Sequence, residues 1–272
     1  RLRERGASFL AEEGSTARQL RHWRDSGCSD GYGTDLWRQF AGLGLTGICI
    51  PEDHGGLGLG SVEAALVLEE IGRNLTPSPF LTTAVVGARA IAGTAHADRW
   101  FPGILSGEAV LALAVDESPR HAPEQTTLSA ERRGNGFVLN GAKQFVVHGN
   151  SADMVLTIAR TAWSAGAEGL TLFAVPKGGA EVESVTLADG SKAARLTFNN
   201  VELDADAVVG EVDNGWAPLS RALNAGLAGA AAELVGVAAG ASAMTVDYLK
   251  QRKQFGKVIG EFQRLLQRGR HL

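Results

Sequence analysis

The chain has 272 residues, of which 44% are hydrophobic and 21% are charged. These proportions are typical of globular domains and exclude a collagen-like fibre, a coiled coil and wholesale disorder, while the length predicts one large domain or two ordinary ones with room for a partial third. With 30 acidic and 26 basic residues the net charge is -4, which argues against a nucleic-acid partner because phosphates attract the opposite charge.

The chain's cysteines, histidines and apolar segments bear on redox setting, metals and membranes. Cys28 and Cys49 are too few for a disulfide framework and lack CxxC spacing, so we predict a reduced, cytoplasmic setting. No signal peptide is visible, and the six histidines are scattered, so we expect no metal site. The most apolar run, 222–246, is rich in Ala and Gly and contains Asn224 and Glu233, which predicts a packed helix and no membrane span.

The first hundred residues have apolar side chains at helical spacing. Between two of these runs lies PEDHGGLGLG, residues 51–60, whose glycine density predicts a loop. This loop resembles the dinucleotide-binding pattern GxGxxG, but Ser61 stands where the third glycine is required, so we predict a helix-to-helix loop and no phosphate cradle. Ser61 is the predicted N-cap of the next helix. The predicted helices cover 2–24, 36–43, a run from Ser61, 81–92 and 97–105.

Near Ser106 the pattern changes to short β-branched or alternating segments separated by Gly, Asn, Asp and Pro. Regular short strands with turn signals predict a sandwich or a barrel. The sharpest turn signals are Asn135-Gly136 and Asn140-Gly141. The predicted strands are 110–115, 127–131, 136–139, 143–147, 154–160, 170–176, 182–187 and 195–201.

Helical periodicity returns after Gly215, and 216–248 is predicted to be one long helix. Small residues at three- and four-residue steps form a smooth face on which another helix could pack closely. We expect this helix to have no partner helix in the chain. The small residues are Gly226, Gly229, Ala232, Gly236, Gly240 and Ala243.

Two groups of residues carry the charges that could perform chemistry. Asp116 and Glu117 follow the first strand and are either an acid/base pair or carboxylates solvated at a strand end. In DYLKQRKQFGKVIGEF, Arg252, Lys253 and Lys257 surround an aromatic residue and a glycine. This cluster suits either an anionic group such as a pyrophosphate or the negative end of the helix dipole.

Five stretches of the chain, in the same order, are similar to the signatures of the acyl-CoA dehydrogenase family. The first two are LWRQFAGLGLTGICIPEDHGGLGLG with the later LEEIGR, and FPGILSGEAVLALAVDE. The next two are GFVLNGAKQFVVHGNSADMVLTIAR and LTFNNVELDADAVVGEVDNGW. The last, YLKQRKQFGKVIGEFQ, is highly specific for the family. Together the five stretches extend the resemblance over nearly the whole chain.

The resemblance implies an α+β fold. It implies an N-terminal helical domain over 1–107, a central β-barrel-like domain over 108–213, and an incomplete C-terminal helical domain over 214–272. The last of these would be the first long helix of a truncated helical bundle.

The resemblance also implies a reaction, a cofactor and partners. The family takes an α-proton from an acyl-CoA thioester with a carboxylate base, passes the β-hydrogen to FAD, and delivers the electrons to an electron-transfer flavoprotein. FAD would lie between the last two domains and a neighbouring subunit, so a homo- or hetero-oligomer is expected. The family match assigns FAD contacts to Leu113, Ala114, Val115, Asp116, Phe145, Val146 and Val147, and contacts with the neighbouring subunit's FAD to Arg252, Gln254, Phe255 and Gln263.

The sequence departs from the family pattern around the flavin. After the first strand the family has Thr-Glu-Pro and then Gly-Ser-Asp, whereas here DESP leads into RHAPEQ, so the serine that would contact acyl-CoA is unassigned. The family's Trp-x-Thr is replaced by Phe145, Val146 and Val147. The resemblance therefore implies that a hydroxyl near the flavin is lost, because valine cannot donate a hydrogen bond.

The sequence also lacks a recognisable catalytic base. The usual glutamate lies beyond the FQ motif in the family, and the alternative position falls at Ala225 or Gly226, neither of which is acidic. We therefore assign no catalytic residue and expect the chain to be inactive alone. The tail RLLQRGRHL departs from the family at Arg264, which suggests a frameshift or a truncated gene copy. The alternatives are a non-catalytic subunit that completes a partner's FAD site and a defective fragment.

Overall fold

The computed structural model describes residues 2–161 and 165–263, except for the side chains of residues 2–5 and 17. The tail from Arg264 onward, where the sequence analysis expects the family resemblance to end, lies outside the described residues. The first part of the chain is helical, as predicted. Its α-helices are α1 Leu2–Glu12, α2 His22–Asp25, α3 Thr34–Gly42, α4 Ser61–Asn74, α5 Ala88–Ile91 and α6 Ala95–Ser106, with π-helical turns at Ala17–Arg21 and Phe80–Gly87.

The glycine-rich loop before α4 is a tight connection, as predicted. A side chain at Gly56 would meet the carbonyl of Ile50, so the loop backbone folds directly against the preceding turn. The predicted N-cap is wrong by one residue, since α4 begins at Ser61 and its N-cap is Gly60. The Gly60 amide donates to the Glu63 carboxylate at 2.9 Å. The side chain of the third helical residue thus satisfies the amide of the N-cap residue, as in a capping box.

The middle of the chain forms a curled, mixed half-barrel sheet. Strand β4 pairs in parallel with β1 and antiparallel with β5, and it touches β2 at Arg160. Strands β2, β3, β7 and β6 continue the sheet as antiparallel neighbours. The strands are β1 Leu111–Ala114, β2 Ser129–Arg133, β3 Gly136–Val147, β4 Met154–Arg160, β5 Leu170–Pro176, β6 Glu181–Thr186 and β7 Lys192–Leu203.

Strand β3 corrects both predicted turns. Asn140-Gly141 is no turn, because β3 runs unbroken through it and absorbs it as a β-bulge against β7. Gly141 has a φ of 140°, and a side chain there would press on Leu128. The β2–β3 turn lies one residue earlier than predicted, since Arg133 pairs with Gly136 and Gly134 supplies the positive φ of 58°.

The long helix is α7, Trp216–Gln251, and the expectation that it has no partner helix is wrong. It packs along α4 and the Phe80–Gly87 turn. The helices touch backbone to backbone: a side chain at Gly236 would meet the carbonyl of Glu69, and one at Gly72 would meet that of Glu233. The small-residue face was predicted correctly as a close-packing surface, but its partner, α4, comes from the same chain.

The opposite face of α7 is apolar and exposed, with Leu227, Leu234, Val235 and Met244 each more than half accessible. By length and composition α7 could span a membrane, which is weak evidence because core helices of soluble proteins pass the same test. The end of α7 leads into a hairpin of β8 Lys253–Gln254 and β9 Lys257–Val258. The helices, the curled sheet and α7 confirm the predicted fold class, and the three domain boundaries stay predictions.

Candidate functional site

The end of β1 meets the C-terminal part of β3, and two groups of predicted site residues lie at this junction. The amide of Gln144 donates to the carbonyl of Asp116 at 2.6 Å. The ammonium group of Lys143 donates to the carbonyl of Val115 at 3.0 Å. The structure therefore brings the segments Leu113–Asp116 and Phe145–Val147 close together, and their contact with FAD stays a prediction.

A buried ion pair fixes this junction. Lys143 is fully buried, and its ammonium nitrogen lies 2.7 Å from a carboxylate oxygen of Glu117. The same carboxylate accepts hydrogen bonds from the amides of Thr127 at 2.8 Å and Leu128 at 2.9 Å. Each charge is thus fully partnered, which is the condition under which a buried pair stabilises a fold.

The environment of the ion pair shifts the pKa of both Glu117 and Lys143. Burial alone would raise the pKa of Glu117, but the charge and hydrogen bond of Lys143, with those of Thr127 and Leu128, outweigh it and hold the pKa below its usual range. Burial lowers the pKa of Lys143, and the charge and hydrogen bond of Glu117 oppose that effect.

A β-bulge in β3 exposes the side chain of Phe145 beside the junction. The register between β3 and β7 shifts between Lys143 and Val146, so Phe145 sits in a β-bulge with a φ of 54°, unusual for an aromatic residue. Its side chain is 50% exposed and that of Val147 is 39% exposed, whereas Val146 between them is buried. Bulges of this kind re-aim side chains beside functional sites, and this one turns an aromatic ring and a valine outward.

The side chains at the end of β1 are less accessible. Ala114 and Val115 are buried, and Leu113 and Asp116 are half-buried. The carbonyl and amide of Leu111 are both bonded to the Thr83 hydroxyl, at 3.1 and 3.0 Å. Contacts from β1 to a ligand would therefore use backbone groups beyond Leu111.

A third group of predicted site residues lies at the far end of α7. Arg252, Gln254, Phe255 and Gln263 are all exposed. Phe255 and Gly256 form the β8–β9 turn, with φ angles of 54° and 79°. The turn leaves the Phe255 ring 90% exposed.

The two ends of the predicted site do not meet within one chain. Glu233 of α7 lines a cavity beside Val147, whereas Arg252 follows the last residue of the helix. At about 1.5 Å per residue, the stretch from 233 to 252 spans roughly 28 Å. A ligand bound at the junction would have to span this distance to contact the α7 end of its own chain.

The paired carboxylates after β1 have separate structural roles. The Glu117 carboxylate is occupied by Lys143, Thr127 and Leu128. Asp116 lies 2.7 Å from the Nδ1 of His121. Glu117 is therefore not free to act as an acid or a base. The interpretation that it is a solvated carboxylate is also wrong, because its oxygens bond to Lys143, Thr127 and Leu128.

Sequence reasoning missed the partners that hold the junction, Glu117 for Lys143 and Thr83 for β1. Their signal was weak, because each lies more than 25 positions from its partner. Among the described residues no cluster of His, Cys, Asp or Glu could hold a metal ion.

Matches to known proteins cover nearly the whole chain. The models of the acyl-CoA dehydrogenase N-terminal, middle and C-terminal domains match residues 1–108, 119–201 and 213–269. The C-terminal match continues past Arg264, so the expectation that the family resemblance ends there is wrong. A solved variant of the Tcur3481-Tcur3483 steroid ACAD is 30% identical, with a TM-score of 0.85 over 99% of this chain and 71% of that chain. The chain belongs to the acyl-CoA dehydrogenase family.

Other relatives support the same family. The mitochondrial isovaleryl-CoA dehydrogenase of Solanum tuberosum is 32% identical over 241 residues, which are 84% of this chain and 58% of that protein. The ChsE4-ChsE5 complex from Mycobacterium tuberculosis matches at 26% identity with a TM-score of 0.85, over 99% of this chain and 71% of that chain. This acyl-CoA dehydrogenase chain thus spans a little under 60% of the curated relative it matches.

The described residues fit the flavin that this family of flavoproteins binds. A flavin ring system is planar, apolar at one end and rich in hydrogen-bonding atoms at the other. The outer edge of β1 beyond Leu111 offers backbone groups, and Phe145 and Val147 offer exposed apolar surface at the same junction. The lysine pair holds this surface in place without an unpaired charge.

Proposed function

We propose that this chain forms the FAD site of an acyl-CoA dehydrogenase, which removes hydrogens from the α and β carbons of an acyl-CoA and passes the electrons to an electron-transfer flavoprotein in the cytoplasm. The observation that carries the proposal is the junction of β1 and β3. There a buried Lys143–Glu117 pair fixes the Val115 carbonyl, and a β-bulge turns the Phe145 ring outward.

The residues of the chain would bind, orient and shield the reacting groups. Backbone groups of Leu113–Asp116 would orient the cofactor, while the side chains of Phe145 and Val147 would exclude water from its face. Bound FAD supplies the hydride acceptor. Val147 has no hydrogen to donate, so polar contacts at this position fall to backbone groups.

The α7 end would complete the site of a neighbouring subunit. Arg252 offers a guanidinium group suited to a pyrophosphate, and Phe255 offers a ring that is 90% exposed. Because these groups cannot reach the junction of their own chain, we propose an oligomer in which each flavin contacts two chains.

We assign no base for the α-proton among the described residues, since Ala225 and Gly226 carry no acidic group. A second candidate function is that of a non-catalytic subunit in a heteromeric acyl-CoA dehydrogenase. Two similar solved structures support this candidate, since they are named for pairs of components, Tcur3481-Tcur3483 and ChsE4-ChsE5. In that case the partner supplies the base and this chain supplies flavin contacts.

Titration of the purified full chain with FAD, followed by quenching of flavin fluorescence, tests the proposal. We expect saturable binding of FAD, and weaker binding of FMN because FMN lacks the adenylate half that the α7 end would contact. Absence of FAD binding at micromolar protein, alone and with candidate partner subunits, would contradict the proposed site.

A further inference from the structure

The loop that joins β1 to β2, residues 115–128, borders the junction of β1 and β3. Its only regular element is a short 3₁₀ turn, Pro123–Gln125. The loop curls around a cavity of about 280 Å³, and the residues that line this cavity, from Val115 to Thr127, all belong to the loop. Because the loop does not pack tightly on itself, hydrogen bonds have to hold its shape.

Arg160, the last residue of β4, donates hydrogen bonds to this loop. Its Nε donates to the carbonyl of Thr126 at 3.0 Å, and its Nη2 donates to the carbonyl of Glu124 at 3.0 Å. The backbone amide of Arg160 also donates to the carbonyl of Leu128 at 2.8 Å. Strand β4 pairs with both β1 and β5, so these bonds tie the loop to a well-supported strand.

The same guanidinium group also binds the loop that joins β4 to β5. Its Nη1 donates to the carbonyl of Glu168 at 2.9 Å, and its Nη2 donates to the carbonyl of Gly166 at 3.0 Å. Four carbonyls from two loops thus meet at one side chain. Arginine suits this position because its planar fork holds five N–H groups in fixed directions, whereas lysine has a single nitrogen and cannot bridge both loops in this way.

Thr126 connects the guanidinium group to the buried ion pair. Its carbonyl accepts from Arg160, and its hydroxyl lies 3.4 Å from the ammonium nitrogen of Lys143. The amides of the two residues that follow Thr126 donate to the Glu117 carboxylate. A displacement of this part of the loop would therefore move the partners of both charges of the pair.

We propose that Arg160 is a positioning residue for the flavin site, acting through the β1–β2 loop on the Lys143–Glu117 pair. The pair in turn holds the Val115 carbonyl at the junction. Arg160 affects the cofactor through these groups and not by touching it. The inference rests on the proposed function, because it takes the junction to contact FAD.

Titration of full-chain variants with FAD, followed by quenching of flavin fluorescence, tests this role. Arg160→Met removes every hydrogen bond of the side chain but keeps much of its length. We expect it to raise the Kd for FAD about tenfold, because the loop loses both of its side-chain bonds to β4. Arg160→Lys should raise the Kd about threefold, since a lysine nitrogen can replace part of the fork.

Arg133→Met is the matched control. Arg133 is also the last residue of a strand in the same sheet, β2. Its guanidinium group bonds to the Glu202 carboxylate at 2.9 Å, and both side chains are exposed. We expect the control to bind FAD as the wild type does. At saturating FAD, the visible circular dichroism of the bound flavin should change in Arg160→Met and stay unchanged in the control.

A double-mutant cycle with Glu117→Gln separates positioning from a general loss of stability. If Arg160 acts through the ion pair, Arg160→Met should raise the Kd no more than about threefold once Glu117→Gln has weakened that pair. Independent effects would multiply, and the tenfold rise would persist in both backgrounds.

The outcomes distinguish this inference from the proposed function. Far-UV circular dichroism identifies the folded variants, and Arg160→Lys carries the comparison where Arg160→Met does not fold. An unchanged Kd in the folded Arg160 variants, or an undiminished effect in the Glu117→Gln background, would overturn the positioning role while FAD binding by the wild type stands. Failure of the wild-type chain to bind FAD would overturn both.

Discussion

Lys143 illustrates how one residue can organise a site that it does not line. Its side chain is fully buried, and its ammonium group links the Val115 carbonyl to the Glu117 carboxylate. Gln144 adds a bond from its side-chain amide to the carbonyl of Glu117. These contacts fix the loop after β1 against β3 and so determine where Phe145 projects.

Removing one member of the pair should cost more than removing both. We expect Glu117→Leu to lower the free energy of unfolding by about 3–5 kcal/mol, because it strands a buried ammonium group. Lys143→Met should cost less, about 1–3 kcal/mol, since the carboxylate keeps its bonds from Thr127 and Leu128. Urea denaturation of both variants and of the double variant measures this. Strictly additive losses in the double variant would contradict the coupling.

The same pair predicts an acid-dependent stability. The folded pKa of Glu117 lies below its ordinary value of 4.5, so its stabilisation is present above that value and is lost as the pH falls through the folded pKa. The stability difference between wild type and Glu117→Gln should be constant near neutral pH and shrink below about pH 4.5. Denaturation from pH 3 to pH 7 checks this, and a difference that grows toward acid pH would contradict it.

At the scale of elements, the close contact of α4 with α7 depends on glycines. A side chain at Gly236 would overlap the Glu69 carbonyl, so Gly236→Ala must push the helices apart. We expect it to lower the free energy of unfolding by about 1–3 kcal/mol. Gly42→Ala in α3 is the control, because nothing lies within 4 Å of an added side chain there. The control should be neutral or stabilising by up to about 1 kcal/mol. Equal effects would refute a close helix contact.

Most elements could be predicted from the sequence because their patterns are local. Strands β4 and β5 begin and end where their runs of mostly apolar residues do, at Met154–Arg160 and Leu170–Pro176. The prediction of a turn at Asn140-Gly141 was wrong because an Asn-Gly pair can form either a hairpin turn or a β-bulge. The pairing of β3 with β7 determines that it forms a bulge here. The partner of α7 was missed because helix packing joins residues far apart in the chain.

The candidate site was predictable only in part. The resemblance supplied three groups of proposed flavin contacts, and the structure brings two of them, Leu113–Asp116 and Phe145–Val147, close together. The Lys143–Glu117 ion pair is a product of tertiary burial, so no local pattern predicts it. The resemblance already assigned the α7 end to the FAD of a neighbouring subunit, and the structure adds the length of α7 that separates this end from the junction.

For the molecule as a whole, the proposed flavin site needs residues from a second chain. The far end of α7 presents Phe255 and Arg252 to solvent, and the outer face of the helix leaves Leu234 and Met244 exposed. Exposed apolar surface of this kind marks an interface. The proposed flavin site therefore combines the β1–β3 junction of one chain with the α7 end of another.

Complementation of FAD binding between two defective variants tests this claim most directly. Phe145→Asp places a charge at the junction, and Arg252→Glu combined with Phe255→Ser removes the proposed contacts at the α7 end. Each variant alone should fail to quench flavin fluorescence. Co-expressed, they should regain about a quarter of the wild-type sites, because random pairing makes half the dimers mixed and each mixed dimer has one intact site. No recovery, or full binding by either variant alone, would contradict a flavin site shared between chains.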